Sequence, residues 1–158
     1  MKNDGKCGIC GDPWEGPRDH EASGKYATGV IVRHYKPGSK IHVIVDLTAT
    51  HKGWFEFRIC SNDDPTKAAT HECLDQHVLD LANGSGSKYF ITSPNPQKYQ
   101  IPLKLPPHLK CSQCVLQWKY NAGIGLLFLN LIHLVMVLLS GGRYTPRNMT
   151  PLLIAFRE

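Results

Sequence analysis

Six cysteines and eight histidines are the residues of this 158-residue chain whose types could hold a metal or carry redox chemistry. Four of the cysteines form two C-x-x-C pairs, Cys7 with Cys10 and Cys111 with Cys114, while Cys60 and Cys73 flank one polar loop. A dithiol redox centre needs its first thiol at a helix N-terminus, where the thiolate is stabilised. Here Cys10 is followed by Gly11-Asp12-Pro13, which breaks a helix. The two pairs could together give a four-thiolate zinc site, but they lie about a hundred residues apart in the chain, where zinc ribbons separate theirs by roughly 15 to 20. The plainer reading is disulfides that staple loops. Cys60 and Cys73 are natural partners for one, worth roughly 3 kcal/mol through restriction of the unfolded chain.

Among the histidines, His20, His34, His42, His71, His77 and His108 stand in polar or solvent-facing contexts. His51 differs by position. It lies between two strand patterns, with the small Ala49 two residues before it and Gly53 two after. That arrangement lets an imidazole, a versatile ligand and proton carrier, project from one end of a sheet structure.

The elements that must position these residues read as strands. Residues 1–24 are rich in Gly, Pro and charge and predict an irregular segment held by cysteines. Strand patterns follow over Tyr26–Val32 and Lys40–Thr48, the second alternating Ile41, Val43, Val45 and Leu47 with His42, Ile44, Asp46 and Thr48. After the tight Ala49–Gly53 connection, Trp54–Cys60 alternates again, with Phe55, Phe57 and Ile59 on one face. The two runs predict a hairpin-like pair with His51 at its tip. Ser61–Thr70 is polar and turn-forming, Glu72–Leu81 reads as a short helix or a loop, and Tyr99–Leu105 and Val115–Tyr120 predict two further strands. Short antiparallel strands with Gly and Pro turns point to an all-β sandwich of immunoglobulin or fibronectin type.

Past Gly123 the composition changes. Ile124–Leu139 is almost entirely aliphatic, interrupted by Gly125, Asn130 and His133. Sixteen such residues fall short of the roughly 20 that span a bilayer as a helix, which leaves a membrane segment over 124–139 open beside a buried or unrelated tail. The expected division is therefore 1–123 as a partial domain and 124–158 as a divergent, apolar tail with some helical character.

The net charge of +5 comes from scattered lysines and arginines with no basic run, which argues against nucleic acid as a partner. The cysteines favour an oxidising, extracellular setting. Met1–Cys7 carries no apolar stretch of the kind a signal peptide needs. Two sequons, Asn83-Gly84-Ser85 and Asn148-Met149-Thr150, are compatible with export.

Four strings, in order, carry a resemblance: Cys7-Gly8-Ile9-Cys10-Gly11-Asp12-Pro13-Trp14; Leu47-Thr48-Ala49-Thr50-His51-Lys52-Gly53-Trp54-Phe55-Glu56-Phe57-Arg58-Ile59-Cys60; Glu72-Cys73-Leu74-Asp75-Gln76; and Cys111-Ser112-Gln113-Cys114-Val115-Leu116-Gln117-Trp118-Lys119-Tyr120-Asn121-Ala122-Gly123. From Gly5 to Gly123 the chain resembles the animal, arthropod-type group of lytic polysaccharide monooxygenases, also described as chitin-binding type-4 domains. The resemblance implies a secreted, disulfide-bonded β-sandwich that uses one copper ion to oxidise chitin or cellulose at the polysaccharide surface, acting as a monomer.

In that family the copper sits in a histidine brace made by an N-terminal histidine, through its amino group and side chain, and a second histidine inside the chain. Position 51 matches the second histidine, so the resemblance implies that His51 is a catalytic copper ligand. Ala49 matches a small residue beside the metal's axial face, and Trp118 an aromatic on a strand near it. The first histidine and the axial tyrosine or phenylalanine have no counterpart, because the chain opens Met1-Lys2-Asn3 and departs from the pattern at Ile124. The expectation is a fragment or isoform truncated at both ends, with weak copper binding and no oxidative cleavage as written. The pairing of Cys7, Cys10, Cys111 and Cys114 stays open. Two alternatives stand beside this reading. One is a non-catalytic polysaccharide-binding protein, secreted or membrane-anchored, with Trp14, Tyr26 and Trp54 as candidates for sugar stacking. The other is a zinc-thiolate structural protein.

Overall fold

Alternation of apolar and polar residues, read along the chain, becomes two sheets packed face to face. The computed structural model describes residues 6–123, 137–139 and 152–156. Its strands are β1 (Arg33–Tyr35), β2 (Lys40–Leu47), β3 (Trp54–Ser61), β4 (Tyr89–Phe90), β5 (Gln97–Lys104), β6 (Cys114–Asn121), β7 (Val137–Leu139) and β8 (Leu152–Phe156), with one short helix, α1 (His71–Asp75). One sheet runs β1-β8-β6-β3-β4 and the other β5-β2-β7. The pairings are antiparallel except for β1 with β8, which is parallel.

The core lies between the sheets. Ile41, Val43, Val45 and Leu47 of β2 and Tyr99, Ile101 and Leu103 of β5 face Phe55, Phe57 and Ile59 of β3 and Leu116 and Tyr120 of β6, all buried. Each such aliphatic or aromatic side chain contributes roughly 1.5–3 kcal/mol by leaving water. Phe55 is the hub of an aromatic cluster, with edge-to-face contacts to Tyr99, Trp118 and Tyr120 at centroid separations of 5.6, 5.2 and 5.0 Å. A second, smaller core forms on the outer side of the larger sheet. There Ile9, Ile31 and Cys73 pack against Cys60, Ala69, Leu74 and Val115, and the Gln117 side chain donates to the Ile9 carbonyl at 2.9 Å.

Four expectations need correction. β2 and β3 are not a hairpin: they lie in different sheets, because each has one wholly apolar face, and two such faces bury more surface across a core than edge to edge. Tyr26–Val32 is not a strand. Gly29 takes φ +68 in its middle, Val30 is 60% exposed, and regular pairing begins only at Arg33. His20 is not a solvent-facing histidine, since its ring bonds the buried Asp12 carboxylate at 2.6 Å. His77 is half-buried, with its carbonyl accepting from the Ile59 N–H.

The ambiguous stretch after Thr70 resolves into both alternatives. Thr70 caps α1 by accepting from the Cys73 N–H, and the chain then runs extended, bridging Arg58 at Val78 and Leu103 at Leu81. Cys60 and Cys73 are bonded as expected, and Cys111 is bonded to Cys114. Most of the proposed membrane segment, 124–136, lies outside the described residues. Its last three, Val137–Leu139, form β7 against β2, and Leu152–Phe156 forms β8 against β6, so these pieces of the tail are strands of the two sheets. Among the described residues no helix is long and apolar enough to cross a membrane.

Candidate functional site

His51 sits where the chain crosses from one sheet to the other. Residues 48–53 leave the end of β2, pass over the edge of the core and enter β3 at Trp54. Two features make so short a crossing work. Lys52 and Gly53 both take left-handed backbone, φ 55 and 84, which for the lysine costs about 1–2 kcal/mol. Gly53 also lies against the end of β6, where a Cβ would meet the Asn121 oxygen at 1.9 Å and the Gly123 nitrogen at 2.6 Å. No other residue type fits there.

Hydrogen bonds from distant strands then fix the crossing. The His51 N–H donates to the Tyr120 hydroxyl at 2.9 Å, and the His51 carbonyl accepts from the Gly123 N–H at 3.0 Å. The Gly53 carbonyl accepts from the Ile91 N–H at 2.8 Å, and the Thr50 hydroxyl donates to the Ser93 carbonyl at 3.3 Å. Tyr120 is itself buried, stacked near Trp118 at 6.1 Å and against the edge of Phe55. The backbone that carries the imidazole is thus anchored to the aromatic core, while the His51 residue stays half-buried at the sandwich end.

The structure separates the other residues singled out from the sequence. Ala49 is exposed in the same crossing. Trp118 lies on β6 opposite Phe57, packed on the core and stacked near Tyr120. Its buried Nε1 has no partner among the described residues, yet an indole N–H only donates and cannot ligate a metal. Tyr120 was not singled out in the sequence; a tyrosine closing an alternating strand was the only signal.

The sugar-stacking candidates are mostly engaged. Lys6 and Arg18 lie over the Trp14 ring at 5.7 and 5.4 Å, and Tyr26 has Lys25 over its face at 5.1 Å and His20 beside it. Trp54 is half-buried, with Lys88 over its ring at 4.8 Å. Its cross-strand partner Phe90 was missed by sequence reading and is 64% exposed, on the same end of the sandwich as His51.

Cys7 and Cys10 are unbonded among the described residues. Burial pushes the Cys10 thiol up to about 12, with the Glu21 and Asp12 carboxylates adding to it, and burial likewise raises Cys7. This is opposite to the depressed thiol of a redox dithiol. With Cys111 and Cys114 bonded to each other, two of the four thiolates of the zinc alternative are spent. A cleft of about 200 Å³ lies on the outer face among Ile9, Cys10, Ala27, Asn62, Gln113 and Val115, away from His51.

The donors present match a copper site only in part. Among the described residues no three His, Cys, Asp or Glu side chains converge on a metal position. Of the positions the family resemblance assigns to copper, the described residues include His51, so they fit one position of a copper set and not a whole set.

The two sheets packed face to face make the chain a β-sandwich protein. A family model described as lytic polysaccharide mono-oxygenase, cellulose-degrading, matches residues 1–132. The solved structure of an AA15 lytic polysaccharide monooxygenase from Thermobia domestica in the Cu(I) state is similar, at 44% identity and a TM-score of 0.74, over 77% of this chain. The alignment spans 64% of that protein's length. No curated protein matches. The chain belongs to the lytic polysaccharide monooxygenase family.

Proposed function

We propose that the protein serves copper-dependent oxidative cleavage of chitin or cellulose, with His51 as one copper ligand. The observation that supports this most directly is the fixing of the His51 backbone by Tyr120 and Gly123, which anchors the segment that carries the imidazole before any metal arrives. Pre-set donors lose less freedom on binding, so a single ordered ligand is more useful than a mobile one. On this reading Ala49 is the small residue beside the metal, and Trp118 packs near the tyrosine that holds the His51 backbone. Imidazole nitrogen suits copper well, and bound copper would supply the electron transfer that oxidative cleavage requires. The disulfides suit an extracellular setting, and the protein acts as a monomer at the polysaccharide surface.

Because His51 is the one copper ligand assigned on this reading, the 158-residue chain alone is expected to bind copper weakly and release no oxidised oligosaccharide. Calorimetry and electron paramagnetic resonance with Cu(II) test the first point. Weak binding should disappear in His51→Ala and persist in His42→Ala, an exposed histidine on β2. Equal binding by wild type and His51→Ala would remove His51 from the site. Aldonic acids from chitin, ascorbate and copper with this chain would show a complete ligand set and overturn the one-donor reading.

The exposure of Phe90 beside Trp54 and Lys88 favours a second reading, polysaccharide binding without catalysis. Aromatic rings offer apolar faces to sugars at low entropic cost. Retention on chitin that needs Phe90 and ignores copper would support it.

A further inference from the structure

We propose that Asn83 is an N-glycosylation site, placed on the flank of the sandwich and clear of the His51 end. The proposal rests on the export proposed above, and its test supplies export separately so that the two can fail independently.

The motif Asn83-Gly84-Ser85 is one of two sequons in the chain, and a sequon marks a site only where the asparagine is accessible. Residues 83–86 are all exposed. Their turn is closed at its base by the Leu81 N–H to the Gly86 carbonyl at 2.7 Å and the Gly84 N–H to the Leu81 carbonyl at 3.0 Å. Within it the Asn83 Oδ1 accepts from both the Ser85 N–H at 3.0 Å and the Ser85 hydroxyl at 2.8 Å. The amide nitrogen Nδ2 makes no hydrogen bond among the described residues, so modifying it breaks none of these.

Room around the turn is a separate observation. Gly84 and Gly86 take φ +82 and +86, and a Cβ built on either meets no atom within 4 Å. At Gly53 the same addition strikes backbone at 1.9 Å. The Asn83 turn is therefore surrounded by open space that a branched sugar can occupy after folding.

The location also suits the proposed activity. The Ala82 N–H bonds the Pro102 carbonyl, and Pro102 is paired with His42. His42 lies five residues before Leu47, the end of β2 that feeds the His51 crossing, which is about 16 Å along the strand at 3.3 Å per residue. A glycan there leaves the His51 end free to meet a solid surface. The donor would be a lipid-linked oligosaccharide pyrophosphate. A bond forms between Nδ2 and the anomeric carbon of the first sugar, the bond from that carbon to the phosphate oxygen breaks, and the lipid pyrophosphate leaves with the electron pair. Nδ2 gives up one proton, and nothing is oxidised or reduced.

The full 158-residue chain, placed behind a cleavable secretory leader and translated with microsomes, tests this. Protease protection identifies lumenal chains, and transfer is scored on all of them, folded or not. One glycan, removed by peptide N-glycosidase, absent from Asn83→Gln and Ser85→Ala and retained in Asn148→Gln, is expected. Protected chain with no glycan, or a glycan that survives Asn83→Gln, overturns the proposal. Export is read apart, from whether the native protein is recovered outside the cell; its absence there would count against export and leave the Asn83 site standing.

Discussion

The two ends of β3 are held by different means. At the Ser61 end the structure is stapled: Cys60 is bonded to Cys73 and Cys111 to Cys114. There the Asp63 carboxylate also clasps Ser112 and Gln113, accepting from the Ser112 N–H at 2.6 Å, the Ser112 hydroxyl at 2.8 Å and the Gln113 N–H at 3.3 Å. At the Trp54 end the described residues hold the crossing by a tyrosine hydroxyl, backbone hydrogen bonds and a glycine wedged against β6. A covalent staple tolerates substitutions nearby because the chain cannot drift. A crossing fixed by close approach does not, and that end carries His51.

Four changes would break or sharpen this contrast. The largest effect is expected from Gly53→Ala, which puts a side chain into the Asn121 carbonyl and into left-handed backbone. It should lower unfolding free energy by more than about 3 kcal/mol in a urea titration, and weaken copper binding in whatever fraction stays folded. Replacing Cys60 and Cys73 together by alanine should cost about 3 kcal/mol. Copper affinity should stay unchanged, since the bond lies at the far end of the strand; a parallel loss of copper would show the ends to be coupled.

Tyr120→Phe keeps the ring in the core and removes the hydroxyl that accepts from His51. A stability loss near 1 kcal/mol is expected, with a copper affinity drop that the disulfide variant does not show, read by calorimetry on the same samples. The smallest effect concerns Asp63, whose hydrogen bonds from Ser112 hold its carboxyl below the ordinary value of 3.8. A carboxylate depressed in the folded state stabilises above its unfolded pKa, and the benefit fades as pH falls through the lower folded value. Asp63→Asn should therefore lower the melting temperature slightly at pH 7, and the difference from wild type should shrink below pH 4.

The inner faces of both sheets were legible in the sequence, because a period of two over Ile41–Leu47 and Phe55–Ile59 leaves little freedom in what is buried. The Cys60–Cys73 bond was legible as well, since the two lie in sequence about one loop apart. Sheet membership was not. Alternation reports that a face is covered and says nothing of what covers it, so β2 and β3 read as a hairpin. Residues 26–32 were misread because their aromatic and branched side chains outweighed the single Gly29. The bond from His51 to Tyr120 spans 69 positions, and the one from His20 to Asp12 spans eight within an irregular segment. Neither distance has a periodic signature. His51 was singled out for its small neighbours, whereas the tyrosine that fixes it depends on tertiary packing alone.

The placing of β8 has a consequence for how the molecule is made. It lies between β1 and β6, pairing Ile154 with Arg33 on one side and with Cys114 on the other. While the chain is being synthesised, β1 has no neighbour in its sheet until residues 152–156 have emerged from the ribosome. Closure across so long a stretch of sequence is slow compared with local pairing. Until it happens, β6 presents an open edge to other nascent chains, and that interval is when a chaperone would matter most.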